Sequence, residues 1–203
     1  MHRRIMTVGL ATALALSLVT LTIAWRSPGN KLGSSPIQPI AFSHKLHAGE
    51  MQIQCDYCHL GTKTSRYAGI PSVSTCMNCH RSVTTSFAAQ KQSNSAPSLE
   101  LRKLYDSLAL DQTLKPVPGK SPKPIAWQKV HQLPDFVYFD HRAHITAAVT
   151  CQTCHGPVET MDRMRQFETL SMGWCVNCHR DVNQTGVAGK PVHASTDCVT
   201  CHY

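Results

Sequence analysis

The sequence predicts a mainly irregular chain of short α-helices with little sheet, preceded by one amino-terminal transmembrane helix and lacking an apolar core of ordinary size. Three observations carry this expectation. An unbroken apolar run stands near the start of the chain, from Ile5 to Trp25. Over 203 residues, charged side chains make up 16% and aromatics only 6%, so a conventional core would have to rest on scattered aliphatics. All ten cysteines fall in five C-x-x-C pairs, and a histidine follows every pair at once.

The apolar run has 21 residues and no charge. As a helix it is roughly 31 Å long at ~1.5 Å per residue, enough to cross a bilayer. Arg3 and Arg4 before it favour a cytoplasmic amino terminus, which puts everything from Arg26 onward outside. A cleaved secretory signal is the competing reading. The run is longer than the usual signal core of about 7 to 15 residues, and Thr22, Ile23, Ala24 make a poor cleavage site. Both readings export the chain, and retention of the segment in the mature protein stays open.

The five pairs are Cys55 and Cys58 with His59, Cys76 and Cys79 with His80, Cys151 and Cys154 with His155, Cys175 and Cys178 with His179, and Cys198 and Cys201 with His202. C-x-x-C-H is the attachment signature of haem c. Two thiols a helical turn apart add to the two vinyl groups of one porphyrin, and the next side chain reaches the iron. A zinc knuckle needs no histidine directly after the second cysteine, and a redox pair needs only one copy. Five covalently bound haems c are therefore expected, with the histidines as proximal iron ligands. The formal charge of +8 then falls to about +3 once propionates and ferric porphyrins are included, and no basic block interleaved with aromatics points to nucleic acid.

Second axial ligands are sought among His44, His47, His131, His141, His144 and His193, which suffice for five irons with one to spare. Their placement is an internal repeat. Phe42, Ser43, His44, Lys45, Leu46, His47 precedes the Cys55 and Cys76 sites, while Phe139, Asp140, His141, Arg142, Ala143, His144 precedes the Cys151 and Cys175 sites. Histidines three apart share a helical face and can diverge toward two porphyrins. His131 and His193 are solitary, with ligand and surface roles both open. Met161, Met164 and Met172 are candidates for one His/Met haem, although methionine is more often a gap filler.

The expected organisation is an anchor over 1–26, a flexible Pro-, Gly- and Ser-containing tether over 27–39, a two-haem module over 40–81, an interhaem linker over 82–130 and a three-haem module over 131–203. Within the linker, Leu101, Leu104, Tyr105 and Leu108 mark one face of a short helix, and Pro116, Pro118, Pro122 and Pro124 predict an extended segment. Residues 136–139 suggest a brief strand. From Ile37 onward, 167 residues serve five sites, too few for a separate fold around each, so porphyrins must fill much of the interior.

The F-x-H-x-x-H box ahead of C-x-x-C-H resembles the class III multihaem cytochromes c. That resemblance implies that His44 serves the Cys55 haem and His141 the Cys151 haem, with His47 and His144 crossing to others. The stretch from Trp127 to His141, with Cys151 to Met161 and Met172, Gly173, Trp174, Cys175, is similar to the pentahaem subunit of alternative complex III. This second resemblance implies a cytoplasmic-membrane, single-pass electron-transfer subunit whose haem part lies on the periplasmic face. It further implies an iron–sulfur subunit, a quinol-binding membrane subunit and a monohaem cytochrome as partners. A soluble cytochrome c or a terminal oxidase is the implied acceptor. A freestanding membrane quinol dehydrogenase and a catalytic multihaem reductase are the alternatives; the reductase would need an open iron, and all five motifs keep histidine.

Overall fold

The computed structural model describes residues 12–21, 31–86, 89, 91 and 96–203. The chain divides into two units, Met1–Asn30 and Lys31–Tyr203. In the first, residues 12–21 are helical. Among the described residues no helix is long and apolar enough to cross a membrane; most of the expected anchor over 1–26 lies outside them.

In the second unit the elements are short and mostly centred on the cysteine pairs. A six-residue π-helical turn, Lys45–Glu50, precedes α1, Cys55–Cys58. Next come α2, Val73–His80, and α3, Leu99–Ser107. Then follow α4, His141–Thr146, and α5, Cys151–His155, a 3-10 turn at Val158–Thr160, α6, Met172–Thr185, and α7, Cys198–Cys201. Side-chain caps start three of these helices, with Ser98 accepting from the Leu101 amide, Asp140 from Arg142 and Ser171 from Trp174. The strand suggested over 136–139 is reduced to an isolated antiparallel bridge between Val137 and His202. Beside it the Tyr138 amide donates to the Cys201 carbonyl.

The helix expected around residues 101–108 is α3, and its apolar face is the one it buries. Leu104 and Tyr105 pack with Met77 of α2, and Ile40, Val73, Leu101, Leu108 and Ile125 surround them. The Tyr105 hydroxyl donates to the carbonyl of His80 at 2.8 Å, tying α3 to the end of α2. Ala109, Met161 and Pro97 are also buried. Tyr57, Leu60, Tyr67, Ile70, Phe136 and Tyr138 are among the apolar side chains left uncovered. Protein side chains alone do not close this interior.

The segment expected as a flexible tether is held over part of its length. Gly33 donates to the Gln166 carbonyl, the Gln166 amide donates to Ser34, and the Ser35 hydroxyl donates to the Met164 carbonyl. Gln166 is fully buried, and its side chain accepts from the Gln132 amide and donates to Glu168 and Thr169. Elsewhere the π-helical turn lies against the 3-10 turn. Gly49 sits at that contact, where any Cβ would strike the Glu159 carbonyl.

Candidate haem-binding site

The two F-x-H-x-x-H boxes adopt one geometry. Phe42 meets His44 edge-on at 5.0 Å and stacks on His47 at 4.3 Å; Phe139 meets His141 edge-on at 4.9 Å and stacks on His144 at 4.5 Å. In each box the second histidine turns its Nδ1 back to the carbonyl four residues earlier, Ser43 for His47 and Asp140 for His144. The first histidines differ. His141 Nδ1 reaches the Arg66 carbonyl at 2.8 Å, whereas His44 Nδ1 is buried without a hydrogen-bond partner among the described residues.

Three of the histidines that follow a cysteine pair obey the same rule. Nδ1 of His59 faces the Gly69 carbonyl, that of His80 the Val83 carbonyl and that of His179 the Ser195 carbonyl. An imidazole donating from Nδ1 to a carbonyl holds its lone pair on Nε2, the form a metal takes. Six imidazoles are thus set with Nε2 unprotonated.

The imidazoles also meet in pairs. Ring centres are 6.0 Å apart for His47 and His80, 6.1 Å for His144 and His179, and 6.5 Å for His141 and His155. With a metal–nitrogen distance of about 2 Å, two imidazoles on opposite sides of one metal have centres about 6.3 Å apart. Among the described residues no three His, Cys, Asp or Glu side chains converge as a metal cage. Pairs are what an iron needs when a porphyrin already fills its equatorial positions. Burial first, and then the charges of His59 and His47, push the pKa of His44 down to about 4. The residues therefore fit haem, and the buried Nε of Arg66, which has no hydrogen-bond partner among the described residues and stands beside Tyr67 and Tyr138, offers a donor for a propionate.

None of the ten cysteines is in a disulfide. Their mutual electrostatics order the sites. Burial raises the Cys58 thiol, with Cys76 and Cys79 among its charged neighbours; Cys151 neighbours Cys55; Cys154 neighbours Cys178 and Cys175; Cys175 neighbours Cys201. Thiol neighbours thus link the Cys76 pair with the Cys55 pair, the Cys55 pair with the Cys151 pair, the Cys151 pair with the Cys175 pair and the Cys175 pair with the Cys198 pair.

The remaining candidates are less engaged. His193 is exposed on the segment between α6 and α7. His202 lies against the Phe136 ring at 5.7 Å. Met161 is buried, and its carbonyl accepts from the Lys45 amide; Met172 is 70% exposed at the start of α6. His131 contacts His155 directly, with its Nε2 3.1 Å from Nδ1 of that ring. Sequence reasoning passed over Arg66 and Gln166, because neither lies in a motif and both act through contacts distant in sequence.

Three family models match this chain: the class III cytochrome C family over residues 21–99, cytochrome c554 and c-prime over 75–156, and cytochrome c7 and related cytochrome c over 137–203. The chain is similar to multihaem cytochromes c. These families indicate covalently bound haem c and electron transfer, and the mostly irregular, short-helical fold agrees with them. The multihaem cytochrome c subunit of menaquinone reductase from Nitratidesulfovibrio vulgaris is 27% identical over 205 residues, covering 91% of this chain and 86% of that relative.

Proposed function

We propose that this chain is a pentahaem c-type cytochrome, with one haem c at each cysteine pair, relaying electrons as a subunit of a membrane quinol-oxidising complex of the alternative complex III kind. The carrying observation is the set of imidazole pairs at 6.0, 6.1 and 6.5 Å, each joining a motif histidine to a histidine of an F-x-H-x-x-H box. Haem iron, when bound, supplies one-electron exchange between ferric and ferrous states. His47, His144 and His141 serve the Cys76, Cys175 and Cys151 sites, and His44 serves the Cys55 site. Two imidazoles at an iron exclude substrate from it, and carbonyls at Nδ1 keep the rings from turning. The row of sites gives the relay two ends, the Cys76 pair and the Cys198 pair. Residues 1–26 anchor the chain in the cytoplasmic membrane and the haem part faces the periplasm, a placement supported by the apolar run and by the export that haem c attachment requires.

Partners follow from the same reading: an iron–sulfur subunit, a quinol-binding membrane subunit and a monohaem cytochrome, with a soluble cytochrome c or oxidase as acceptor. The relative's name, a subunit of a menaquinone reductase, favours a place in a complex over a freestanding quinol dehydrogenase. It also favours a second reading, in which electrons run toward menaquinone.

Intact mass and a pyridine haemochrome assay of the purified full-length protein should give five haems per chain. A bare polypeptide mass would end the proposal. In the isolated complex, reduction of the haems by a menaquinol analogue supports quinol oxidation, whereas oxidation of pre-reduced haems by a menaquinone analogue supports the second reading. A high-spin ferric signal in the oxidised wild-type protein would instead favour a catalytic reductase.

A further inference from the structure

His131 stands apart from the other candidate ligands. Its ring meets His155 edge-on at 85°, with centres 4.3 Å apart, and its Nε2 lies 3.1 Å from His155 Nδ1. Two imidazoles on one iron need about 6.3 Å between centres, so no iron fits between these two. The other side of His155 already faces His141, parallel and 6.5 Å away.

The place that His131 occupies is one that backbone carbonyls occupy elsewhere. Gly69, Val83 and Ser195 carbonyls accept from Nδ1 of His59, His80 and His179. At His155 the chain leaves through Gly156, in a left-handed conformation with φ 70° and Phe167 against its α-carbon, so the following backbone departs in its own direction. A side chain from outside the motif takes the acceptor's part. It is held in position by the next residue, because the Gln132 amide donates to the side chain of fully buried Gln166.

We propose that His131 is a positioning residue for His155: its Nε2 accepts the hydrogen bond donated by His155 Nδ1, and it ligates no iron. The proposal rests on the reading that the Cys151 site holds a haem with His155 as its proximal ligand. To accept at Nε2, His131 carries its own ring proton on Nδ1. An acceptor at Nδ1 makes the proximal imidazole a better electron donor and so favours ferric iron at this site. Five histidines then remain for five distal positions, His44, His47, His141, His144 and His193, with none to spare.

The test compares full-length, haem-loaded wild type with His131→Leu and His131→Gln by low-temperature EPR of the oxidised protein and by a redox titration. His131→Leu should keep all haems low-spin at unchanged haem content, shift one low-spin signal and raise the midpoint potential of one haem. His131→Gln, whose side-chain oxygen can accept, should return that potential most of the way to wild type. A high-spin component worth one haem in either variant would make His131 a ligand and overturn the proposal. So would potentials and low-spin signals in His131→Leu that match wild type. Should His131→Leu fail to mature, His131→Gln decides alone, through its spin state. A wild-type Cys151 peptide of unmodified mass would show instead that the haem reading of this site is what failed.

Discussion

The imidazoles of His141 and His155 lie parallel to within 5° with their centres 6.5 Å apart, although one belongs to α4 and the other to α5. With haem bound at the Cys151 site, these two imidazoles would make its iron six-coordinate. His141→Ala should therefore open one coordination position, and EPR of the oxidised variant should show a high-spin signal worth one haem. An unchanged, wholly low-spin spectrum would mean that His141 ligates nothing.

Acid should release the imidazoles in a definite direction. His155 is pushed down to about 3, by burial first and then by the charges of His131, His141, His59 and His44; His44 is pushed down to about 4. Both folded values lie below the ordinary 6.5. The unfolded chain therefore binds the proton first as pH falls, and the contribution of these rings to stability is complete above 6.5 and declines between there and about 3 to 4. Ligation of iron requires the same unprotonated ring. Acid titration should show denaturation midpoints falling below pH 6.5, and stability flat from 5 down to 3 would contradict this.

Gln166 holds together three stretches of chain through bonds at both its backbone and its side chain. Gln166→Ala leaves the Gln132 amide and the Glu168 carbonyl without that side chain. The expected cost is about 1–3 kcal/mol, read as a lower denaturation midpoint. Resistance to denaturant equal to wild type would remove Gln166 from this role.

The cluster around α3 should respond to substitution as an ordinary apolar core does. Leu104 is 4% exposed, and Leu104→Ala should cost about 2–5 kcal/mol. Tyr105→Phe removes only the bond to the His80 carbonyl and should cost about 1 kcal/mol. Equal losses in the two variants would show that packing is not what α3 contributes.

Much of this arrangement could be read from the residues, because the chemistry is encoded locally. The cysteine pairs and the F-x-H-x-x-H boxes are short motifs whose internal spacing fixes their geometry, and the leucine period of α3 marks its own buried face. What could not be read depends on contacts made only when distant segments meet. His131 and His155 are 24 residues apart in sequence, His141 and Arg66 are 75 apart, and Gln38 pairs with Gln128 across 90. The 136–139 stretch had strand-like composition, but a strand needs a partner of equal length, and Cys201 and His202 supply only one bridge.

The carbonyl of Arg66 accepts both the backbone amide and the Nδ1 of His141. Replacing the side chain at position 66 leaves that oxygen where it is, so no ordinary substitution there deletes the link between the two halves of the chain. Substitutions at position 66 should accordingly spare this joint, whatever they cost the contacts of the Arg66 side chain with Tyr67 and Tyr138. Insertions or deletions in the 59–70 loop, which carry the peptide group away, should uncouple one half from the other.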